Sequence, residues 1–303
     1  MPEPVLIVGT GALGNLFAAR LAAVGVDVTM LGTWREGLAA LRQHGVTIVQ
    51  PDGRQTAYPV TATSDPAECV GAKYALVLVK SWQTERAAAQ LAECLAADGV
   101  ALTLQNGLGN RETLAAALGE ERVALGTTTT GATLLSSGRV RPGGEGVVSV
   151  GRQARLEPLC DLLEEAGFKL DILDDVDSLV WGKLVINAAI NPVTAMLAVP
   201  NGELLTRPSA RALAATLANE VAAVAAAQDI PLAFPDPVAA AEQVAERTAA
   251  NNSSMLQDVQ RGAPTEIDAI CGAVVTHGEA VGVPTPANQT LWRLVSALRG
   301  TND

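Results

Sequence analysis

The strongest constraint on this chain lies at its start. Val5-Leu-Ile-Val8 is a short apolar run of strand type. Gly9-Thr10-Gly11-Ala12-Leu13-Gly14 follows at once, and Ala12 to Val24 reads as a helix ending at Gly25. Val26-Asp-Val-Thr-Met-Leu31 is a second strand. The spacing G-x-G-x-x-G means little alone, but between a strand and a helix it marks a dinucleotide-binding turn. Gly9 permits the tight turn, Gly11 lets backbone approach a pyrophosphate, and Gly14 lets helix and strand pack closely. The first N–H groups of the helix then face the phosphates. The whole loop, Thr10, Ala12 and Leu13 included, is therefore assigned to a cofactor. A plain glycine turn is the alternative.

The residues after the second strand choose the cofactor. NAD enzymes place Asp or Glu there, about 20 residues past the motif, to hold the ribose 2′-OH. Here Leu31-Gly32-Thr33-Trp34-Arg35 stands, with no acid before Glu36. An arginine suits the 2′-phosphate of NADP, so Arg35 is the candidate and NADP(H) the expected cofactor. A solvated arginine in a first helical turn is the plainer alternative.

Further strands follow the same plan. Tyr74-Ala-Leu-Val-Leu-Val79 has no alternation, as in a buried parallel strand, and is followed by Lys80 and a helix from Gln83. Val100-Ala-Leu-Thr-Leu104 leaves through Gln105-Asn106-Gly107, and Val123-Ala-Leu-Gly leads into Thr127 to Thr130. Ligands of a doubly wound sheet bind at strand carboxyl ends. Lys80, Asn106 and the threonines are thus candidates, although each would also serve as a cap. Val46–Val49, Pro51-Asp-Gly53 and Tyr58-Pro-Val60 read as a hairpin-like excursion. Gly131 to Gly151 reads as strand–turn–strand, Leu156 to Gly167 as a helix and Lys169–Leu173 as a last strand. Beyond Asp174 the pattern is helical, over Asp175–Asn191, Pro208–Gln228, Asp236–Ala250, Pro264–Val281 and Ala287–Arg299. The sequence predicts an α/β protein: an N-terminal Rossmann-type doubly wound sheet over 1–173 and an all-α substrate and catalytic domain over 174–303.

Composition narrows the classes. A length of 303 residues fits about two domains. Aromatics make up only 3%, so Ala, Val and Leu must build the core. A net charge of -11 argues against a general nucleic-acid binder. Cys69, Cys94, Cys160 and Cys271 stand alone, with no C-x-x-C. That pattern fits a reducing, cytoplasmic setting without a metal cluster. Two histidines, His44 and His277, cannot form a three-histidine zinc site. Strand-type residues begin at once, so no signal peptide is expected.

One apolar stretch carries anomalous polar groups. In Leu179 to Pro200, Lys183, Asn187 and Asn191 sit at i, i+4 and i+8, on one face of a helix. A buried lysine costs several kcal/mol unless it is paired or loses its proton. A core helix whose lysine snorkels fits the same residues. A membrane span fits poorly, because Lys183 and Pro192 fall mid-segment. Two polar clusters follow. Asn251-Asn-Ser-Ser254 suits an N-cap. Glu266, two residues after Pro264, suits a first helical turn.

Together these pieces resemble a known family. Gly9–Gly14, Val79-Lys80-Ser-Trp-Gln83, Gln105-Asn106-Gly107 and Gly126-Thr-Thr-Thr129 come first. Trp181-Gly-Lys183-Leu-Val-Ile-Asn187-Ala-Ala-Ile-Asn191-Pro-Val-Thr-Ala195, Pro200-Asn201-Gly-Glu203, Asn251–Asp258 and Thr265-Glu266-Ile-Asp268 complete the set. Over the whole chain they resemble the ketopantoate (2-dehydropantoate 2-) reductases of pantothenate biosynthesis, in the coenzyme A pathway. The resemblance implies an oxidoreductase in which an NADPH hydride reduces the 2-oxo group of ketopantoate to give pantoate. It implies Lys183 as general acid, with Asn187, Asn191, Asn201, Asn251 and Ser254 on the substrate. It places Asn106 on both cofactor and substrate, Lys80 and Ala132 on the cofactor, and Glu266 beside the nicotinamide ribose and substrate. The chain departs from the family in one place. Gly32-Thr33 stands where an arginine often follows the second strand, and Arg35 comes slightly later.

The chemistry agrees without the name. Reducing a ketone leaves an alkoxide that needs a proton and a positive charge, and a desolvated lysine offers both. Lys-x-x-x-Asn also looks like the β-hydroxyacid dehydrogenases, whose other motifs are not seen. A reductase of another 2-oxo acid remains open. So does a non-catalytic NADP-sensing protein, although it would be expected to lose Lys183 or Glu266. The expected partner is a small 2-oxo acid, with neither nucleic acid nor membrane, and a homodimer is left open.

Overall fold

The computed structural model describes residues 2–298. Two units emerge from it. One is the chain up to Gln105 with Asn110–Val176, and the other is Asn106–Gly109 with the chain from Asp177 on.

Among the described residues the first unit is built on twelve strands. They are β1 (Val5–Val8), β2 (Val28–Leu31), β3 (Val46–Val49), β4 (Gln55–Tyr58), β5 (Thr61–Thr63) and β6 (Ala72–Val77), then β7 (Leu95–Thr103), β8 (Val123–Thr128), β9 (Ala132–Ser136), β10 (Arg139–Pro142), β11 (Val147–Gly151) and β12 (Lys169–Leu173). The main sheet has the order β12-β11-β8-β7-β6-β1-β2-β5. From β5 to β8 every pairing is parallel, with Val5 opposite both Val28 and Tyr74. That part has the doubly wound order, 3-2-1-4-5-6, with its switch point beside β1. β11 is antiparallel to β8 and parallel to β12.

Five helices join the strands: α1 (Ala12–Ala23), α2 (Arg35–His44), α3 (Thr84–Cys94), α4 (Asn110–Leu118) and α5 (Glu157–Glu165). Consecutive residues Leu16, Phe17, Ala18 and Ala19 of α1 are all buried. A helix apolar on every side has to be covered on every side. The main sheet packs Ile7 and Met30 into this cluster, and a second sheet adds Ile48 and Val140. That second sheet has the order β4-β3-β10-β9. The sequence reading takes Gly131–Gly151 as one strand–turn–strand, but the structure makes three strands of it. β9 and β10 form a hairpin, β10 pairs with β3 in parallel, and β11 goes to the main sheet. The β3–β10 pairing joins residues far apart in sequence, which local patterning does not register.

The second unit is helical: α6 (Asp177–Leu197), α7 (Glu203–Thr206), α8 (Pro208–Ala227), α9 (Pro237–Arg247), α10 (Ser254–Gln260), α11 (Ala273–Val281) and α12 (Pro286–Ala297). A π-helical turn, Asp268–Gly272, runs straight into α11. The expected end of the last helix, Arg299, lies outside the described residues. α6 does not stop at Asn191 as expected but continues through Pro192. Proline removes one backbone donor and strains the turn before it. The donor lost here is the one that would serve the Ala188 carbonyl; the Thr194 hydroxyl, further on, donates to the carbonyls of Ile190 (2.9 Å) and Asn191 (3.0 Å). Packing holds the helix, since every residue from Ala188 to Ala195 is buried. α6 is long and apolar enough to cross a membrane, yet 72% of that stretch is buried within the protein, as a core helix is.

Candidate active site

The first unit carries the dinucleotide loop. Gly9 has φ +127°, which side chains rarely adopt, and a Cβ there would lie 2.9 Å from the Leu78 carbonyl carbon. A Cβ on Gly14 would fall on the carbonyl oxygen of Gly9, so helix and turn meet too closely for any side chain. Gly11 is different, because a Cβ there meets nothing within 4 Å. The protein's own packing does not demand that glycine, and the open side is where a phosphate could approach. Gly11 is the N-cap of α1 and offers no side-chain cap to the amides of Ala12, Leu13 and Gly14. These residues fit a pyrophosphate. Asn15 fixes the loop from behind, its amide donating to the carbonyls of Thr10 and Gly11, both at 2.8 Å.

Other residues of this unit take their places around the strand ends. Gly32 follows β2, and a Cβ on it would lie 2.8 Å from Thr10 Cγ2. A carboxylate side chain at position 32 would meet Thr10. Arg35 is the first residue of α2 and is exposed. Lys80 stands past the carboxyl end of β6, half-buried. Its loop is closed by Gln105, whose amide donates to the Val79 carbonyl (3.1 Å) and to Thr84 Oγ1 (2.8 Å). Ala132 opens β9. The threonine run is engaged with β11: Thr128 Oγ1 donates to the Val147 carbonyl (3.2 Å), and Thr129 Oγ1 accepts from the Val147 amide (2.9 Å).

The second unit gathers the charged pair. Lys183 is half-buried on α6, in a surrounding of aliphatic core. Burial lowers its pKa from the ordinary lysine value to about 8, and the Glu266 carboxylate opposes that shift. Glu266 is not in a solvated first turn. It is only 4% exposed and precedes the π-helical turn. Its Oε2 accepts from Asn106 Nδ2 at 3.1 Å. Asn106 reaches it because the 106–109 segment docks on the π-helical turn, where Leu108 N–H donates to the Ala269 carbonyl (2.9 Å). Gly107 makes that approach possible. Its φ is +81°, and a Cβ there would fall on the Ala269 carbonyl oxygen. π-Turns are rare and cluster at functional sites.

The amide-bearing candidates divide. Asn187 and Asn191 continue the Lys183 face of α6, half-buried and buried respectively. Asn201 is turned inward, its amide donating to Thr248 Oγ1 (2.9 Å) and its backbone N–H to the Asn251 carbonyl (2.9 Å). Asn251 and Ser254 are exposed. The sequence reading takes Asn251–Ser254 as a capping segment without choosing a residue, and the structure makes Ser253 the buried N-cap of α10, which accepts from Leu256 N–H (3.1 Å) and bonds Thr194 Oγ1 (2.7 Å). The signal was available, since serine is among the best N-caps.

Comparisons with known proteins give the family. The family described as "Ketopantoate reductase PanE/ApbA" matches residues 5–155, and its C-terminal counterpart matches 175–299. The 2-dehydropantoate 2-reductase of Archaeoglobus fulgidus is 38% identical over 97% of each chain. That of Halobacterium salinarum is 36% identical over 96% of this chain and 97% of its own. The crystal structure of a PanE/ApbA family ketopantoate reductase from Ralstonia eutropha JMP134 superposes with a TM-score of 0.91, at 32% identity and 98% coverage of both chains. D-mandelate dehydrogenase with NADH and anilino(oxo)acetate gives 0.92, at 27% identity and the same coverage. A Rossmann-type sheet with a glycine cradle, a helical unit with a desolvated lysine beside a buried glutamate, and matches spanning both place this chain in the ketopantoate reductase family.

Proposed function

We propose that the protein reduces ketopantoate to pantoate with NADPH. The observation that carries this reading is Lys183, held on an apolar helix with its pKa lowered to about 8 and a buried glutamate nearby. The loop Gly9–Gly14, with Lys80 and Ala132, would hold the dinucleotide. Bound there, a reduced nicotinamide supplies a hydride to the 2-oxo carbon. Lys183 donates its proton to the oxygen that becomes the hydroxyl, and its charge stabilises that oxygen as negative charge develops. Asn187, Asn191, Asn251 and Ser254 would orient the acid, and Asn201 would hold the 248–251 turn. Glu266 and Asn106 fix each other and would receive a ribose or substrate hydroxyl. The test follows nicotinamide absorbance on mixing pure protein, NADPH and ketopantoate. Absence of turnover overturns the reading.

The similarity to D-mandelate dehydrogenase supports a second reading, in which the substrate is a bulkier 2-oxo acid and the cofactor NADH. The 2-oxo acid formed by oxidising mandelate, offered with NADH, separates the two. Higher kcat/KM with that pair than with ketopantoate and NADPH would favour the second.

Two variants probe the roles. An arginine–phosphate contact is worth about 1.5–3 kcal/mol, so Arg35→Ala should lower the NADPH over NADH preference in kcat/KM by roughly 10-fold or more. An unchanged ratio removes Arg35 from the 2′-phosphate. Glu266→Ala takes away the acceptor that a substrate or ribose hydroxyl would use, at a cost of about 1–3 kcal/mol of binding. It should raise KM for ketopantoate or Kd for NADPH about 10-fold, with little change in Tm. A fall in Tm at unchanged kcat/KM would make Glu266 a structural residue.

A further inference from the structure

Trp34 is an aromatic residue that packing alone does not explain. It is 38% exposed in a chain with only 3% aromatic residues. It is the N-cap of α2, a position where its side chain makes no capping hydrogen bond. Serine, aspartate or asparagine would serve the helix better. Three residues on stands Gly37, buried, in the first turn of α2. A Cβ on Gly37 would fall on the six-membered ring of Trp34, meeting Cε3, with Cδ2 at 2.8 Å and Cζ3 at 2.9 Å. Its backbone is ordinary helix, so no left-handed turn requires glycine there. Glycine weakens a helix interior relative to alanine. The helix accepts that loss, and the indole lies against the bare backbone with much of its surface left to solvent.

The position is as specific as the packing. Trp34 stands just past the carboxyl end of β2, two residues after Gly32. In a doubly wound dinucleotide fold the adenosine ribose lies at that strand end. The adenine is bonded to the same ribose and comes within reach of the next side chains. We propose that Trp34 is the platform on which the adenine of the cofactor stacks, and that Gly37 is its seat; this rests on the dinucleotide reading above. Stacking uses the π face and is indifferent to the 2′ substituent. Trp34 therefore adds affinity for NADPH and NADH alike, while Arg35 chooses between them.

The test measures binding to the full-length protein by calorimetry, with NADPH and NADH, and by tryptophan fluorescence, with 5′-AMP. Loss of one base–aromatic stack weakens binding by roughly 5- to 100-fold. Trp34→Ala should weaken both dinucleotides by a common factor in that range, and Trp34→Phe should recover most of it. Gly37→Ala favours the helix yet displaces the indole, so it should weaken both as Trp34→Ala does. The double variant should be no weaker than Trp34→Ala alone. 5′-AMP, which carries no nicotinamide, should quench tryptophan emission in the wild type and not in Trp34→Phe. Wild-type affinity in Trp34→Ala, no recovery with Phe, or quenching that persists in Trp34→Phe would overturn the proposal. If the wild type binds neither dinucleotide, the dinucleotide reading itself fails.

Discussion

Lys183→Ala should lower kcat by roughly 10²–10⁴-fold, about 3–5 kcal/mol of barrier, while NADPH still binds. The same residue sets the pH profile. Reduction needs the protonated amine, whose pKa burial lowers to about 8. The rate of ketopantoate reduction should therefore fall as pH rises through about 8, and oxidation of pantoate should rise over the same range. Stability runs with the second. The unfolded chain keeps this proton up to the ordinary lysine range, so between about 8 and 10.5 it binds more protons than the folded protein. Folding then gains stability as pH rises through that window. Lys183→Met removes the desolvated charge and should raise Tm while abolishing turnover, a trade common at catalytic groups. Near-normal turnover in Lys183→Ala, or a rate flat from pH 7 to 10, would sink the role.

The glycine loop gives the second large effect, and two glycines should fail differently. A Cβ on Gly14 collides with a backbone carbonyl that cannot swing aside. Gly14→Ala should cost about 1–3 kcal/mol of stability, as overpacking does, and weaken NADPH binding by roughly 100-fold or more, because the turn must open. Gly11→Ala has room in the protein itself. Its Tm should stay at the wild-type value while NADPH affinity falls, since the methyl group stands on the open side of the loop. Thermal melts and a calorimetric titration of each variant decide the matter. Unchanged NADPH affinity in Gly11→Ala would mean that no phosphate approaches there.

Much of this was legible beforehand, and the reasons are local. β1, the turn and α1 announce themselves because an unalternating apolar run, a glycine triplet and a helical pattern lie side by side. The Lys183–Asn187–Asn191 face follows from helical spacing alone. What escaped depends on distant partners. Nothing near Pro192 says that α6 goes on, because its continuation rests on burial against distant parts of the chain. Glu266 looks like an ordinary helix-start acid until Asn106 is set against it. Gly107 looks like a loop glycine until the Ala269 carbonyl arrives. Ser253 and Ser254 are identical letters, and the helix start makes one a buried cap and leaves the other exposed.

The docking of residues 106–109 on the π-helical turn bears on biosynthesis and on dissection of the gene. Asn106 precedes its glutamate by 160 positions. A ribosome therefore releases this short segment long before the surface it settles on has been made. The helical unit stays incomplete until the chain has passed Glu266, and loop closure over that span makes its assembly a late event. A fragment starting at Asp177 would carry every helix of the second unit yet lack four residues of that unit, Asn106–Gly109. To be complete, such a fragment would need the Asn106–Gly109 tetrapeptide restored, by a linker or by circular permutation.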